Sequence, residues 1–407
     1  MILRRGTSPK LEHEKKLMTS PEILDRYRDI IVNTLKARID QDHLFVYDML
    51  RYCMGWSDKD GIPVNGVMGK SLRPSLCLFA CEAVGGNMRN ALPAAASLEL
   101  IHNFSLIHDE IEDFDETRHH RPTLWALWGI NKALVAGNAL RIVADQSMEM
   151  MRKNDDKDTE RILKGVELLT EACLEMIEGQ YMDISFEGRI DITLNQYMSM
   201  ISRKTGALIR CSLHLGAVMG TENLRTLEIF RRTGTSLGYV FQIRDDILGI
   251  WGQEESTGKP VGIDILRKKN SLPIVHAMDK ADSKGRERLR EIYSLQSLGE
   301  PEVLAVLDIM EQAGTRDYAQ GLAHQYEEEA LKSFEKALDL NPYVVDTWVN
   351  KGTVLWKEMG NREDALAAFD KALEINPNFM GAVDSRISLE AEIKANRPSF
   401  FKRLFGG

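Results

Sequence analysis

A chain of 407 residues exceeds what one hydrophobic core usually holds, so one large domain with an appendage is expected. Hydrophobic residues at 43%, charged residues at 28% and aromatics at 7% exclude extended disorder for most of its length. Lysine and arginine total 52 against 61 acids, and the net charge of −9 argues against nucleic acid as a partner.

The N-terminal run MILRRGTSPKLEHEKK turns charged before an apolar core forms, and five scattered cysteines accompany it, so a cytoplasmic, reducing setting is expected. Cys77 and Cys81 lie one helical turn apart, but no second pair or histidine run joins them. They read as buried small residues rather than metal ligands. No apolar run reaches the roughly 18 residues that span a bilayer, which limits membrane contact to the periphery.

From about residue 20 to 325, apolar positions recur at three- and four-residue spacing and alternating strand patterns are nearly missing, so the fold class is all-α. Breakers at Gly61-Ile62-Pro63, Gly85-Gly86, Lys153–Lys157, Gly188, Gly220 and the run from Gly252 to Gly262 divide this body into long helices. Within it, SLIHDEIEDFDETRHHRPTLW sets Asp109 and Asp113 one turn apart on one helix face, with Glu110 beside them. Leu106, Ile107 and Ile111 surround these acids, so the helix is buried and the acids need cations. Magnesium suits such a site, because it takes one or two carboxylates together with water and substrate phosphate. Far along the chain, FQIRDDILGIWG supplies Asp245 and Asp246 in another apolar helix. Dispersed cations at Lys70, Arg73, Arg118, Lys204, Lys259 and Lys269 complete the pattern of a helical bundle holding metal ions and a diphosphate.

Towards the C-terminus EALKSFEKALDLNP, residues 329–342, returns as DALAAFDKALEINP, residues 364–377, an offset of 35 residues. That period resembles tetratricopeptide repeats. One full helix pair is too little for a free-standing solenoid, so the segment is expected to pack against the main body. The stretch from Lys394 to Gly407 sets Phe400, Phe401, Leu404 and Phe405 among Lys394, Arg397, Lys402 and Arg403, a basic aromatic tail that could at most touch an anionic membrane surface. The expected divisions are 1–325, 326–390 and 391–407.

The order of these motifs resembles that of the trans-isoprenyl diphosphate synthases, the polyprenyl synthetase family. The resemblance implies a helical bundle around a deep cavity, and a prenyltransferase joining an allylic diphosphate to isopentenyl diphosphate with magnesium, three ions in all. Gly69-Lys70-Ser71-Leu72-Arg73-Pro74 resembles the family's Gly-Lys-x-x-Arg-Pro, which implies that Lys70 and Arg73, with His102, grip isopentenyl diphosphate. Asp109 and Asp113 match the first aspartate-rich motif and Asp245 the second, as metal ligands, with Asp246 as a support behind Asp245. Arg118, Gly179-Gln180-Tyr181-Met182-Asp183, Lys204-Thr205, Phe241-Gln242, Lys259 and Lys269 fall on further family motifs that hold diphosphate or steady the allylic cation. A homodimer is also implied.

Three positions depart from the family pattern. Glu110 replaces the second Asp of the first motif, Gly249 the last Asp of the second, and His119 the second arginine after the first motif. The last change implies a weaker, pH-dependent hold on isopentenyl diphosphate. A terpene cyclase is disfavoured, because Gly249 and Gln253 stand where its motif needs a hydroxyl and a glutamate. Two alternatives remain: a synthase of farnesyl or longer chains, or a weakly active partner subunit whose repeat docks another protein. Product length is expected to be set one turn upstream of Asp109. Phe104 at the fifth position before it and Ser105 at the fourth resemble the archaeal-type pattern, which implies geranylgeranyl diphosphate.

Overall fold

The sequence's helical periodicity is realised almost throughout the computed structural model, which describes residues 22–40, 44–64, 69, 71–149, 156–252, 261–340, 345–357 and 361–395. The first half contains α1 (Glu22–Ile39), α2 (Phe45–Cys53), α3 (Leu72–Ala83), α4 (Met88–Glu112), a short hairpin of β1 (Thr117–Arg118) and β2 (Arg121–Pro122), α5 (Leu124–Trp128), α6 (Ile130–Glu149) and α7 (Asp156–Phe186). Then come α8 (Leu194–Lys204), α9 (Gly206–Gly220), α10 (Leu224–Trp251), α11 (Ile263–Leu266), α12 (Leu272–Lys280), α13 (Ser283–Ser294) and α14 (Glu300–Gln312). The C-terminal part is α15 (Thr315–Leu340), α16 (Val345–Lys357), α17 (Arg362–Ile375) and α18 (Met380–Ala395).

The α9 sequence GALIRCSLHLGAVMG is apolar on nearly every side, so this helix sits at the centre, packed by α3, α4, α7 and α10. Side chains fix where the neighbouring helices begin. Thr193 opens α8 with a reciprocal capping box, its hydroxyl accepting from the Gln196 N–H while Gln196 accepts from the Thr193 N–H, a device that contributes about 1 kcal/mol. Asn223 caps α10 in the same sense by accepting from the Thr226 N–H at 3.0 Å. One core cluster gathers α1 to α4, α6 and α9, and a second joins α8, α10, α12 and α15. Where α4, α7, α8, α9 and α10 meet between them, a cavity opens. Cys77 and Cys81 are fully buried in the first cluster and no cysteine is paired.

The repeat has a core of its own, formed by Leu355, Trp356, Ala365, Phe369 and Leu389, with the Trp356 indole donating to Glu392 at 2.8 Å. It rests on the body as expected. Arg26 of α1 lies over the Phe379 ring at 5.3 Å and pairs with Glu82 of α3 at 2.8 Å, while α16 packs on α3. The continuous helix α15 runs across position 325, so body and repeat share one rigid element. No helix among the described residues is long and apolar enough to cross a membrane. The basic aromatic tail beyond residue 395 lies outside the described residues.

Candidate active site

The cavity, of about 290 Å³, is built largely from one face of α4. His102, Leu106, Asp109 and Asp113 follow one another at alternating four- and three-residue steps, which keeps them aligned along the helix. The first three line the cavity, and Asp113 closes the helix with its N–H on the Asp109 carbonyl at 2.8 Å. Arg73 enters from α3, Asp183 and Met176 from α7, Tyr197 and Lys204 from α8, and Leu208 from α9. Phe241, Gln242 and Asp245 come from α10, with Lys269 beyond it. Arg118 reaches the cavity from the hairpin. That hairpin is braced from outside, because Arg121 lies 4.1 Å from the Tyr52 ring centre and the Tyr52 hydroxyl donates to the Pro122 carbonyl at 2.7 Å.

Burial raises the Asp109 carboxyl to about 6, and Asp113 and Glu112 push the same way while Lys204 and Arg118 oppose them. Asp113 is raised too, again first by burial. Lys204 sits between the acids. Burial acts to lower its ammonium, but Asp183, Asp109 and Asp113 outweigh that and raise it overall, and its Nζ donates to Asp183. This pairing needs a close helix crossing: a Cβ on Gly179 would lie 2.6 Å from the Lys204 Cα, so only glycine lets α7 approach. His102 is held well below its ordinary value by burial and by Arg73 and Arg118, so it presents a neutral imidazole at pH 7.

On the opposite wall Asp245 is exposed to the cavity, while Asp246 borders it but is buried. Asp246 accepts from the Tyr197 hydroxyl, from the Gln242 amide at 2.9 Å and from the Leu272 N–H at 2.7 Å. Gln242 in turn accepts from the Thr205 hydroxyl at 2.6 Å, which fixes both the amide and the hydroxyl at the cavity wall. Tyr197, the anchor of this chain of bonds, carried no signal in the sequence beyond an apolar helix position.

Several expected residues are placed differently. Phe104 is buried against the His108 ring, 4.7 Å between centroids, and does not line the cavity, whereas Ser105 does. At 100° per residue the fifth position before Asp109 points about 140° away from it and the fourth only about 40°. Glu110 is buried off the cavity with Arg118 at 3.7 Å, and burial first lifts its carboxyl to about 7. His119 forms the hairpin turn with His120, both in left-handed backbone at φ +49° and +61°, and is not part of the cavity lining. Lys70 and Lys259 lie outside the described residues.

Among the described residues no three ligating side chains close on one point, so no complete protein cage for a metal exists there. The donor set nevertheless fits a hard divalent ion shared with phosphate: Asp109 on one wall, with Asp113 one turn beyond it, and Asp245 on the other offer only oxygen. Arg73 fits the phosphate side, because its buried Nε has no protein partner among the described residues.

A family model for polyprenyl synthetase matches residues 64–310 and one for the tetratricopeptide repeat matches residues 345–379. The chain is 35% identical over 324 residues to a (2E,6E)-farnesyl diphosphate synthase of Mycobacterium tuberculosis, covering 79% of this chain and 89% of that protein. It is 41% identical over 255 residues to a short chain isoprenyl diphosphate synthase of Methanothermobacter thermautotrophicus, covering 63% and 76%. The crystal structure of a geranylgeranyl pyrophosphate synthetase from Pyrococcus horikoshii superposes with a TM-score of 0.71 at 31% identity, covering 83% of this chain and 99% of that one.

Proposed function

Because the chain belongs to the polyprenyl synthetase family, we propose that this cavity joins an allylic diphosphate to isopentenyl diphosphate head to tail, with geranylgeranyl diphosphate as its main product. The observation that carries the reading is the meeting of Asp109 and Asp245, more than a hundred residues apart in sequence, across one cavity that also holds Arg73, Arg118, Lys204 and Lys269. Magnesium held by Asp109, Asp113 and Asp245, three ions in the full complex, would supply the positive charge that lets diphosphate leave.

The chain's own groups do the rest. Lys204 and Arg118, with Lys259 from outside the described residues, neutralise the departing diphosphate, and Lys269 adds charge from the α10 side. The Thr205 hydroxyl and Gln242 amide, locked to each other, face the allylic carbons with oxygen lone pairs that steady a cation. Met176, Met200, Ile201 and Leu208 form an apolar wall that excludes water while the double bond of the second substrate attacks. Arg73 and neutral His102, with Lys70 three residues before Arg73 in sequence, hold the isopentenyl diphosphate. Proton loss goes to the released diphosphate, so no protein nucleophile is required.

Ser105 sets the depth available to the growing tail. Ser105→Phe should fill the space one turn below Asp109 and shift the product from twenty carbons to fifteen, read by chromatography of the dephosphorylated products. An unchanged product would contradict this floor. The reading as a whole is tested by incubating the purified chain with Mg2+, isopentenyl diphosphate and labelled farnesyl diphosphate. Formation of a C20 diphosphate is expected. Inactivity relieved only by adding a second protein would support a partner-subunit role instead.

A homodimer is supported by an exposed apolar stripe: Leu174, Ile177, Tyr181 and Ile184 follow helical spacing along α7, and Val135 and Ile142 are exposed on α6. Light scattering should return twice the chain's mass. Ile177→Glu should return the monomer. The repeat, resting on α1 and α3, is suited to recruiting a protein that uses the product.

A further inference from the structure

Asp245 borders the cavity and is exposed to it, and no hydrogen bond from another side chain among the described residues steadies its carboxylate. Its direction is therefore set by the backbone of α10. At 100° per residue its two sequence neighbours project about 100° to either side of it, and both are anchored. Asp246 is tied to α8 and α12 through the Tyr197 hydroxyl and the Leu272 N–H. Arg244 is tied to α15: its Nε and Nη2 donate to one oxygen of Glu327, Oε1, at 2.9 and 2.6 Å.

Glu327 is buried at 3% exposure. Its second oxygen, Oε2, is buried with no hydrogen-bond partner among the described residues, and the His324 Nδ1 stands 3.7 Å from it. A buried carboxylate is tolerated only against a cation, and the Arg244 guanidinium is the cation whose donors reach this one. The rest of the α10–α15 contact is apolar. The Tyr239 and Tyr326 rings stack with centroids 4.5 Å apart, and Ile243, Ala319 and Ala323 share a core. Apolar burial holds the helices together without direction, so the charged bonds are what specify how α10 is turned about its axis. Glu327 also lies beyond residues 64–310, which the polyprenyl synthetase model matches, on the helix that continues into the repeat.

We infer that Glu327 is a positioning residue for the metal-binding wall: through Arg244 it fixes the rotation of α10 that presents Asp245 to the cavity. The helix that carries the repeat thereby belongs to the scaffold of the site. The inference rests on the synthase reading above, and Mg2+-dependent binding of pyrophosphate by the wild type checks that reading separately.

The test is calorimetric titration of inorganic pyrophosphate into the full chain at a fixed Mg2+ concentration, which reads the site without turnover. Glu327→Gln keeps the shape and removes the charge. It should weaken pyrophosphate binding by about fivefold, within the range by which a residue acting through another shifts affinity. In the Asp245→Asn background the same change should cost no more than about 1.5-fold, because the group it aims is already lost. The KM for isopentenyl diphosphate, held by Arg73 and His102 on α3 and α4, should stay within about twofold, whereas general loosening of the fold would raise it equally. Circular dichroism checks folding, and the neutral pair Arg244→Gln with Glu327→Gln, which leaves no buried charge uncompensated, carries the same expectation. Wild-type pyrophosphate affinity in Glu327→Gln and in the neutral pair, an equal loss in the Asp245→Asn background, or a matching rise in the isopentenyl diphosphate KM would overturn the inference.

Discussion

Replacing Asp109 by Asn should lower turnover by about 10²- to 10³-fold, the range seen when one group that stabilises developing charge is removed, and should at the same time make the metal-free protein more stable at pH 7.5. The two effects share a cause. Burial, with the neighbouring acids, lifts the folded-state pKa of Asp109 to about 6 from the 3.8 of an unfolded chain. A carboxyl raised in this way favours the fold fully below pH 4 and progressively less as the pH climbs through 6. At pH 7.5 the ionised group is therefore a liability that only bound cations relieve. Asparagine removes the liability, and after discounting for solvent in the cavity the gain is about 1–2 kcal/mol. Thermal melts of the metal-free wild type should fall between pH 5 and 7.5, and those of Asp109→Asn should fall less. A variant that loses activity with no gain at pH 7.5 would mean that Asp109 is not strained by burial.

Asp246→Ala should cost about 3–5 kcal/mol of stability, the loss expected when one partner of a buried charged network is removed. The alanine would strand the Tyr197 hydroxyl, the Gln242 amide and the Leu272 N–H, and would leave Lys269 without the acid that most strongly favours its charge. Its sequence neighbour should behave in the opposite way. Asp245 is exposed to the cavity, so Asp245→Ala should change stability by no more than about 0.5 kcal/mol while abolishing most turnover. Urea unfolding of the two variants separates them. Equal stability would contradict the division of labour between these adjacent aspartates.

That division was only partly legible beforehand. The helical class was readable from three- and four-residue spacing, because each long helix carries its own periodicity. The face of α4 was readable too, since Asp109 and Asp113 stand one turn apart whatever surrounds them. Phe104 shows where a pattern matched by position alone goes astray: helix geometry turns it away from Asp109 and towards His108, and the cavity receives Ser105 instead. Tyr197 and Met176 were not legible, since each acquires its role from a helix distant in sequence.

If the synthase reading is right, acids on α4 and α10 act together, through divalent cations, on one diphosphate. Calorimetric titration of inorganic pyrophosphate into the wild type, Asp109→Asn and Asp245→Asn, with and without Mg2+, tests it most directly. Binding by the wild type is expected only when Mg2+ is present, with a loss of about tenfold or more in either variant and a double variant that loses less than the product of the two. Tight binding without Mg2+, or wild-type affinity in Asp245→Asn, would contradict it.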